Sequence, residues 1–408
     1  MTNYDGLYNK NYFGDFLSTN NFSEKKLSFQ VIENGMILPH KTPEATKTGA
    51  GGIVDADGNF VEGSFIHRGI GGAYSPEEIV QSDETVIYFG MIVSVWGHCL
   101  TDNLKRAWFL KSKIFRKEFK KCKIVYVPMF GGIVPAFAEL LKILEIDIKK
   151  LVPIERPTRF KKIILPDESF FLGRSENFSD ATLKFVDGTR NNFGGHDKIF
   201  FTSEYVETID RVRNFARKKF SRLSDKKFYF FYGRNQTGEQ RLAEYFQSKG
   251  YAKIIPQDLS LAEQLNILAN CENFASVTGS ISHNIIFLPD GANAVLIPRR
   301  AAFVNIWQQA LNKIHDLNIF YVDSALSLYP VDYGGPFCYI VSERLKNFFG
   351  DVHPEKYDDE DFVAFMIYSK FAREHDMQMN PDEKKYLEKV LPEFFSQLKQ
   401  SPLLSGKK

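Results

Sequence analysis

The sequence is poor in the features that usually classify a protein at first sight. It has four cysteines, Cys99, Cys122, Cys271 and Cys338, and no two of them form a CxxC pair. This spacing argues against a disulfide framework or a zinc site and favours a reducing compartment. An excess of one charge is also lacking, because 52 Lys and Arg stand against 50 Asp and Glu, for a net charge of +2. That balance gives no electrostatic basis for nucleic acid as a partner.

Long apolar runs are missing too. No stretch reaches the roughly 18 apolar residues that a membrane-spanning helix needs, and residues 1–17 lack the basic start and apolar centre of a signal peptide. We therefore expect a cytoplasmic protein, with peripheral contact at the inner face of the cell membrane left open. No strand is followed by the GxGxxG pattern of dinucleotide-binding enzymes, which argues against a dehydrogenase.

Apolar and aromatic side chains are plentiful. Of 408 residues, 44% are hydrophobic, with 38 Phe and 18 Tyr, which is enough for two buried cores. Short β-branched or aromatic runs alternate with helical patterns in two blocks, and this predicts parallel sheets covered by helices. The expected fold is α/β, with two Rossmann-like domains facing a cleft. We place a first domain at 1–185, with a turn-rich β segment at 1–84, a second at 186–330, and a helical extension at 331–408.

The segment WGHCLTDNLKRAWFL, residues 96–110, carries the candidate catalytic residues. Read as a helix, it places His98, Asp102 and Arg106 four residues apart on one face. Such a stack can hold a carboxylate general base, with a histidine and an arginine tuning its charge. The alternative from spacing alone is an exposed Asp–Arg pair beside an unrelated histidine, which contributes little to stability.

A second candidate group follows the apolar run 228–232 and reads Tyr232-Gly233-Arg234-Asn235-Gln236. An arginine at the carboxyl end of a strand can grip a diphosphate with two parallel hydrogen bonds. Arg241, seven residues on, is a second candidate contact. An ordinary basic loop is the alternative for both arginines.

The third group is Val277-Thr278-Gly279-Ser280-Ile281-Ser282-His283-Asn284. It reads as a strand, a glycine turn and a helix start, where free backbone N–H groups and the hydroxyls of Thr278 and Ser280 favour an anion. Any strand-to-helix junction has this form, so a structural turn is the alternative. Just upstream, Ser260 and Glu263 predict a capping box at the start of another helix.

One motif, Asp55-Ala56-Asp57, has the form of a metal–diphosphate ligand pair. It lies in GGIVDADGNFVEG, where Asp57-Gly58 is typical of a hairpin turn that needs no ligand. We therefore predict no metal site. The turn Met129-Phe130-Gly131-Gly132 likewise predicts a structural junction between a strand and a helix.

In their order and spacing, these segments resemble glycosyltransferase family 61. WGHCLTDNLKRAWFL is similar to the family's N-terminal block, and Gly233-Arg234 to the arginine motif that ends the first strand of the donor domain. Residues 259–264, LSLAEQ, resemble its Ser-Leu-x-Glu-Gln block. Residues 278–287, TGSISHNIIF, resemble its Gly-(Ala/Ser)-x-x-x-Asn-x-x-Phe segment. The resemblance is strongest over 228–298.

The resemblance implies a GT-B-type fold and an inverting transferase of bacterial capsule or lipopolysaccharide synthesis. It implies a nucleotide-sugar donor, UDP-linked by expectation, an oligosaccharide or lipid-linked glycan as acceptor, and no metal or other cofactor. Asp102 is the expected base, with His98 as the alternative and Arg106 orienting Asp102. The expected donor-binding residues are Arg234, Asn235, Arg241, Gln264, Thr278, Gly279, Ser280, His283 and Asn284.

This sequence departs from the family at two positions. Many members have His-Gly-Ala where Thr278-Gly279-Ser280 stand here, and many have an acidic residue after the strand that here ends Leu296-Ile297-Pro298. Two other functions use the same anion-binding parts: a sugar-phosphate or glycerol-phosphate transferase, and a nucleotide- or carbohydrate-binding protein without turnover. The sequence carries no signal of oligomeric state.

Overall fold

The computed structural model describes residues 2–3, 20–42, 49–66, 72–174, 197–220, 223–234, 236–300, 305–329, 335–351 and 357–401. The chain divides into two compact units. The N-terminal unit comprises Asn20–Ser175 and Asp197–Lys219, and the C-terminal unit comprises Met1–Thr19, Glu176–His196 and Phe220–Lys408. No helix within the described ranges is long and apolar enough to cross a membrane.

Strands are numbered along the chain. They are β1 Thr2–Asn3, β2 Phe29–Glu33, β3 Met36–Lys41, β4 Ala50–Val54, β5 Val80–Val93, β6 Lys123–Met129, β7 Leu151–Pro153, β8 Thr158–Pro166, β9 Phe170–Arg174, β10 Asp197–Phe201, β11 Lys227–Phe230, β12 Gln236–Thr237, β13 Ala252–Ile254, β14 Asn273–Val277, β15 Asn293–Ile297, β16 Asn318–Tyr321 and β17 Phe337–Cys338.

The α-helices are Trp96–Leu100, Pro135–Ile143, Ser203–Lys219, Glu239–Ser248, Leu261–Ala269, Ile306–Leu311, Glu343–Phe348, Asp359–Glu374, Pro381–Val390 and Pro392–Gln400. Among the described residues, short 3₁₀ helices lie at Phe109–Lys111, Ile148–Lys150, Pro256–Asp258 and Ser282–Phe287, and a π-helical turn lies at Phe115–Phe119.

The N-terminal unit is built on a seven-stranded mixed sheet in the order β4-β3-β8-β5-β6-β7, with β2 also paired to β8. Strands β8, β5, β6 and β7 are parallel, whereas β2 and β3 run antiparallel to β8. The second half of β5 is buried on both faces, as a central parallel strand should be. The carboxyl ends of β5, β6 and β8 therefore meet at one edge.

The helix Ser203–Lys219 packs within the N-terminal unit. Its buried Tyr205 places the ring centroid 4.8 Å from that of Phe170, and the Tyr205 hydroxyl donates to the Leu100 carbonyl. An aromatic residue that buries its ring and bonds its hydroxyl fixes a helix firmly to its neighbours. Tyr205 thus ties this helix to the segment that carries the candidate catalytic residues.

The C-terminal unit contains a six-stranded sheet in the order β1-β16-β15-β14-β11-β13, and every pair in it is parallel. From β11 the chain passes to β13 on one side and then to β14 on the other. The strand order therefore reverses between β11 and β14, which makes this pair a topological switch point. Ligands of open parallel sheets bind outside the carboxyl ends of the strands at such a point.

The structure confirms the α/β class, with parallel sheets and helices. The arrangement of two facing domains of GT-B type stays a prediction. The helix expected over 96–110 is wrong in length, because it ends at Leu100 and gives way to turns. Thr101 is the C-cap residue, with φ −105° and ψ −78°, and both its N–H and its hydroxyl donate to the Gly97 carbonyl.

Candidate functional site

The segment that follows β5 is buried almost throughout. Exposed fractions are 4% for Asp102, 2% for Lys105 and 1% for Arg106. The alternative of an exposed Asp–Arg pair is therefore wrong. Charged groups this deeply buried need partners in the protein, because an unpaired buried charge is costly.

His98 and Asp102 meet in a short contact. His98 Nδ1 lies 2.6 Å from Asp102 Oδ2, and the Thr101 hydroxyl donates to the same oxygen over 3.0 Å. With Asp102 ionised, Nδ1 must carry the hydrogen, which leaves Nε2 of a neutral ring as an acceptor. The His98 side chain is 36% exposed, compared with 5% for that of Asp102. The imidazole is the member of the pair that solvent or a substrate can reach.

The electrostatics of the pair follow from the same contact. Burial favours the neutral form of His98, but the hydrogen bond to Asp102 and its negative charge outweigh burial and raise the pKa of His98 above its ordinary value. A carboxylate that orients an imidazole and stabilises its protonated form is the arrangement found in acid–base dyads. The pair can therefore accept a proton from a bound hydroxyl.

Arg106 does not orient Asp102, contrary to the sequence prediction. Its Nε donates to the Pro166 carbonyl over 2.9 Å, and its Nη2 pairs with Glu168 Oε1 at 3.2 Å. Lys105 Nζ lies 2.6 Å from the same carboxylate oxygen. The four-residue repeat fails after Asp102 because the helix has already ended.

A cavity of about 290 Å³ lies beside this cluster, at the carboxyl end of β8. Its lining holds three carboxylates, two cationic side chains and one aromatic ring. The lining residues are Lys25, Gln30, Glu62, Gly63, Arg106, Leu165, Pro166, Asp167, Glu168 and Phe171. Carboxylates and an arginine around a small cavity suit a ligand rich in hydroxyl groups, because they offer both acceptors and donors.

The candidate donor-binding residues lie on loops at the switch point of the C-terminal unit. Arg234 is exposed, Thr278 is buried, and Gly279 and Ser280 are half-buried. Asn235 lies outside the described residues. Gly279 has φ +132°, and a Cβ there would clash with the guanidinium of Arg299, so glycine is required at this turn.

The turn at Gly279 offers fewer free amides than the sequence predicts. The helix after it, Ser282–Phe287, is a short 3₁₀ helix, and the Gly279 N–H donates to Ser282 Oγ over 3.0 Å. The Thr278 hydroxyl accepts from the Arg299 N–H over 3.1 Å. Local hydrogen bonds of the fold therefore use groups that were expected to face an anion.

Four other residues predicted to bind the donor are buried or bonded to other groups of the protein. Gln264 is 7% exposed and donates its amide to the carbonyls of Pro256 and Leu259. Asn284 is 1% exposed and donates to the Ile281 carbonyl, and His283 is 9% exposed. Arg241 pairs with Asp358 and Glu360 at the start of the helix Asp359–Glu374. Their roles toward a donor stay predictions.

Sequence reasoning missed Arg299 and Glu239. Arg299 follows β15 and lies between two rings, with its guanidinium carbon 5.1 Å from the ring centroids of both Tyr232 and Phe337. Glu239 is fully buried and accepts the N–H groups of Tyr232 and Gly233 over 2.8 Å each. The sequence signal that could have identified Arg299 is the run Pro298-Arg299-Arg300 at the end of a strand, a position where many members of the family that the sequence resembles have an acidic residue.

The Asp55-Ala56-Asp57 triplet forms a turn, as predicted. Asp55 Oδ1 accepts the N–H groups of Asp57 and Asn59 over 3.0 and 2.8 Å. The hydrogen bond from the Asn59 side chain, together with these backbone bonds, lowers the pKa of Asp55 below its ordinary value. In the part of the chain that the structure describes, no group of three or more His, Cys, Asp or Glu side chains is placed to hold a metal ion.

Residues 96–295 match the family model described as Glycosyltransferase 61. The matched range begins just before His98 and includes the loops after β11 and β14. No curated protein matches the chain. The family match supports a glycosyltransferase.

Proposed function

We propose that this chain moves a sugar from a nucleotide-sugar donor to a glycan acceptor with inversion, because residues 96–295 match the model of glycosyltransferase family 61. The acceptor is a growing oligosaccharide or lipid-linked glycan of a bacterial surface polysaccharide, and the reaction takes place on the cytoplasmic side. The donor is bound by the C-terminal unit, and the base is supplied by the N-terminal unit.

The contact between His98 and Asp102 carries this proposal. The geometry favours His98 as the base and Asp102 as the residue that orients it, which reverses the preference drawn from spacing. Asp102 is almost fully buried, and its Oδ2 already accepts two hydrogen bonds. The imidazole is partly exposed, and Nε2 of the neutral ring is a hydrogen-bond acceptor, so the side chain has the chemistry that a general base requires.

The reaction is a single displacement. His98 Nε2 takes the proton of the acceptor hydroxyl as that oxygen forms a bond to the anomeric carbon of the donor. The bond from that carbon to the diphosphate oxygen breaks, and the nucleoside diphosphate leaves with the electron pair. Cationic side chains at the leaving group stabilise the charge that develops on it. On this scheme the transfer needs no metal.

The acceptor side is served by the cavity at the end of β8. Its three carboxylates disfavour a phosphate-rich ligand, whereas hydroxyl groups can donate to them. Arg106 in the cavity wall and His98 come from the same segment after β5, so one stretch of chain contributes to both features. We assign this cavity to the sugar of the acceptor.

The direct test offers the purified protein UDP-, GDP- and CMP-linked sugars together with oligosaccharide acceptors and analyses the products. We expect transfer from one donor class, an inverted linkage and release of the nucleotide. A product that retains a phosphate would replace this proposal with the sugar-phosphate transferase. A folded protein that neither hydrolyses nor transfers any donor would indicate a binding protein. Activity lost with a chelator and restored by manganese would contradict the metal-free scheme.

A further inference from the structure

One segment of the N-terminal unit concentrates positive charge. Seven of the thirteen residues from 111 to 123 are Lys or Arg, and Glu118 is the one acid among them. We call residues 111–123 the basic segment. Its net charge is +6 in a chain whose net charge is +2, so the rest of the chain is acidic on balance. The reaction proposed above uses none of these cations.

Two phenylalanines anchor the basic segment to the N-terminal unit. Phe115 and Phe119 stand at the two ends of its π-helical turn. Their ring centroids lie 6.2 and 6.0 Å from that of Phe109, which is fully buried. Phe119 also packs on Phe29, with 5.4 Å between the ring centroids. Aromatic packing therefore fixes the turn, while the three residues between the two rings are exposed.

Most cations of the basic segment have no carboxylate partner. Lys111 pairs with Glu145, and Lys123 pairs with Glu84. The other five are exposed and form no ion pair with any residue that the structure describes; they are Lys113, Arg116, Lys117, Lys120 and Lys121. The segment thus presents a cluster of uncompensated positive charges to solvent.

The spacing of these cations makes them repel one another. Arg116 and Lys120 are four residues apart, as are Lys117 and Lys121, and like charges at this spacing destabilise a helical turn. The aromatic anchors hold the cations together in spite of this repulsion. A surface of negative charge would turn the repulsion into attraction, so the segment has the electrostatic properties of a docking site for an anionic partner.

The composition of the segment indicates which anionic partner it suits. Six of its seven cations are lysines, which act as hydrated point charges and require no fixed bidentate geometry. Single-stranded nucleic acid is usually bound by aromatic rings that stack on bases, whereas Phe115 and Phe119 pack against Phe109. Clusters of about four to eight Lys and Arg at a protein surface are typical of binding to anionic lipid headgroups.

The basic segment lies close to the cavity that we assign to the acceptor sugar. Phe29, on which Phe119 packs, directly precedes Gln30, and Gln30 lines that cavity. Shortly before the segment, the indole N–H of Trp108 donates over 2.8 Å to the carbonyl of Asp167, another lining residue. A membrane held by the segment would therefore bring a lipid-linked glycan near the cavity.

Resting on the proposed function, we propose that the basic segment docks the N-terminal unit on a bilayer of anionic phospholipids, where the sugar of a lipid-linked acceptor enters the cavity at the end of β8. The attraction acts between lysine ammonium groups and lipid phosphates and falls off over a Debye length of about 8–10 Å. The contact is therefore peripheral, reversible and sensitive to salt.

The test is flotation of the full chain with two kinds of vesicle, phosphatidylcholine alone and phosphatidylcholine with about 30% phosphatidylglycerol, which gives a negative surface. We expect binding to the anionic vesicles only. Raising sodium chloride from about 0.1 to 0.5 M should release the protein, because salt screens the attraction. Equal binding to both kinds of vesicle, or binding to neither, would overturn the proposal.

A triple variant localises the binding. Arg116→Gln, Lys117→Gln and Lys120→Gln together should lower the vesicle partition coefficient about a hundredfold, since each cation near an anionic surface contributes roughly fivefold. Lys117→Arg with Lys120→Arg keeps the charge and should bind as wild type does.

The matched control removes three exposed lysines of the C-terminal unit, through Lys384→Gln, Lys385→Gln and Lys389→Gln. It loses the same charge outside the basic segment, so its partition coefficient should change by less than about twofold. Wild-type partition in the folded Arg116, Lys117 and Lys120 variant, or equal losses in the two triple variants, would remove the docking role from the segment.

Two further measurements separate the proposal from its alternatives. Single-stranded homopolymeric RNA is titrated at the same salt, and RNA binding that is tighter than vesicle binding and lost in the Arg116, Lys117 and Lys120 variant would identify a nucleic-acid surface instead. Transfer to a soluble oligosaccharide should be unchanged in that variant. A wild type that transfers sugar but binds no vesicle contradicts this inference alone, whereas one that binds vesicles but transfers nothing contradicts the proposed function.

Discussion

The carboxyl edges of the two parallel sheets carry different chemistry. In the N-terminal unit, β5 leads to an imidazole held by a buried carboxylate, and β8 leads to a cavity rich in carboxylates. In the C-terminal unit, β11, β14 and β15 lead to glycine turns and arginines, and the carboxylate nearby, Glu239, is bonded to amides. In both units, the loops after the parallel strands lie at one edge of the sheet, and the residues of those loops determine its chemistry. We call the edge with His98 and Asp102 the proton-handling edge, and the edge with the Gly279 turn and its arginines the anion edge.

The largest effect should come from the proton-handling edge. His98→Ala should lower kcat by about 10³-fold, because general-base catalysis contributes roughly 10²–10⁴-fold, and nucleotide affinity should stay within twofold of wild type. His98→Gln tests shape without basicity and should be as inactive. Steady-state kinetics with calorimetry makes the separation. A His98→Ala enzyme with near-normal turnover would return the base role to Asp102.

The second effect concerns stability. Glu168→Gln removes the carboxylate that two buried cations, Lys105 and Arg106, share. Leaving buried charges without their partner should cost about 3–5 kcal/mol of unfolding free energy, to be measured by urea denaturation. Glu145→Gln is the control, since its pairing with Lys111 is largely exposed and should contribute under about 1 kcal/mol. Equal urea midpoints for Glu168→Gln and Glu145→Gln would show that the buried ion pairs of Glu168 do not stabilise the fold by this amount.

Much of the framework of the two edges could be predicted from the sequence. Buried strand runs, the capping box of Ser260 and Glu263 and the glycine turn at Gly279 follow local rules, and each is present. The helix end at Leu100 could not be predicted, because Leu104 and Ala107 continue the apolar repeat beyond it. Spacing also cannot identify the partner of Arg106, because Glu168 is 62 residues away along the chain.

Residues that act through long-range contacts escape sequence reasoning most completely. Nothing local in the sequence shows that Glu239 accepts the amides of Tyr232 and Gly233. Arg299 reaches Gly279 only because β14 and β15 are adjacent in the sheet. Motif and charge, by contrast, predict Gln264 and Arg241 as donor contacts, whereas their bonds to Pro256 and Asp358 can be seen only in the structure.

The third prediction concerns the glycine of the anion edge, Gly279. Gly279→Ala adds a Cβ at positive φ and into the space of the Arg299 guanidinium. We expect a loss of about 1–3 kcal/mol in stability from backbone strain and a roughly tenfold weaker nucleoside diphosphate affinity, measured by thermal unfolding and calorimetry. Gly250→Ala is the control for strain alone, because it also has positive φ but has open space around a Cβ. Equal nucleotide affinity in the Gly279→Ala and Gly250→Ala variants would show that the Gly279 turn is not part of the donor site.

A smaller effect should appear in the pH dependence of the proton-handling edge. The raised pKa of His98 means that kcat/KM should climb with pH through an apparent pKa above about 6.5 and then level off, since only the neutral ring accepts a proton. Asp102→Asn removes the group that raises this pKa, so the break should move to lower pH as the plateau falls. For stability the sign is opposite: the His98–Asp102 contact stabilises the fold at low pH, and this contribution is lost as pH rises through the folded pKa. An unchanged break in Asp102→Asn would assign the titration to another group.

The smallest effect tests whether the proton-handling edge also offers an aromatic surface. Phe130 follows β6, is 62% exposed and has φ +55°, an unfavourable backbone conformation for a bulky residue and one often associated with functional sites. The Ser94 hydroxyl binds its carbonyl, so it lies beside the loop that leads to His98. Phe130→Ala should raise the acceptor KM about threefold without changing donor hydrolysis, whereas Phe130→Tyr should behave as wild type. Because Phe130 is largely exposed, neither variant should shift the unfolding temperature much. An unchanged acceptor KM in Phe130→Ala would leave this turn the purely structural junction that the sequence predicts.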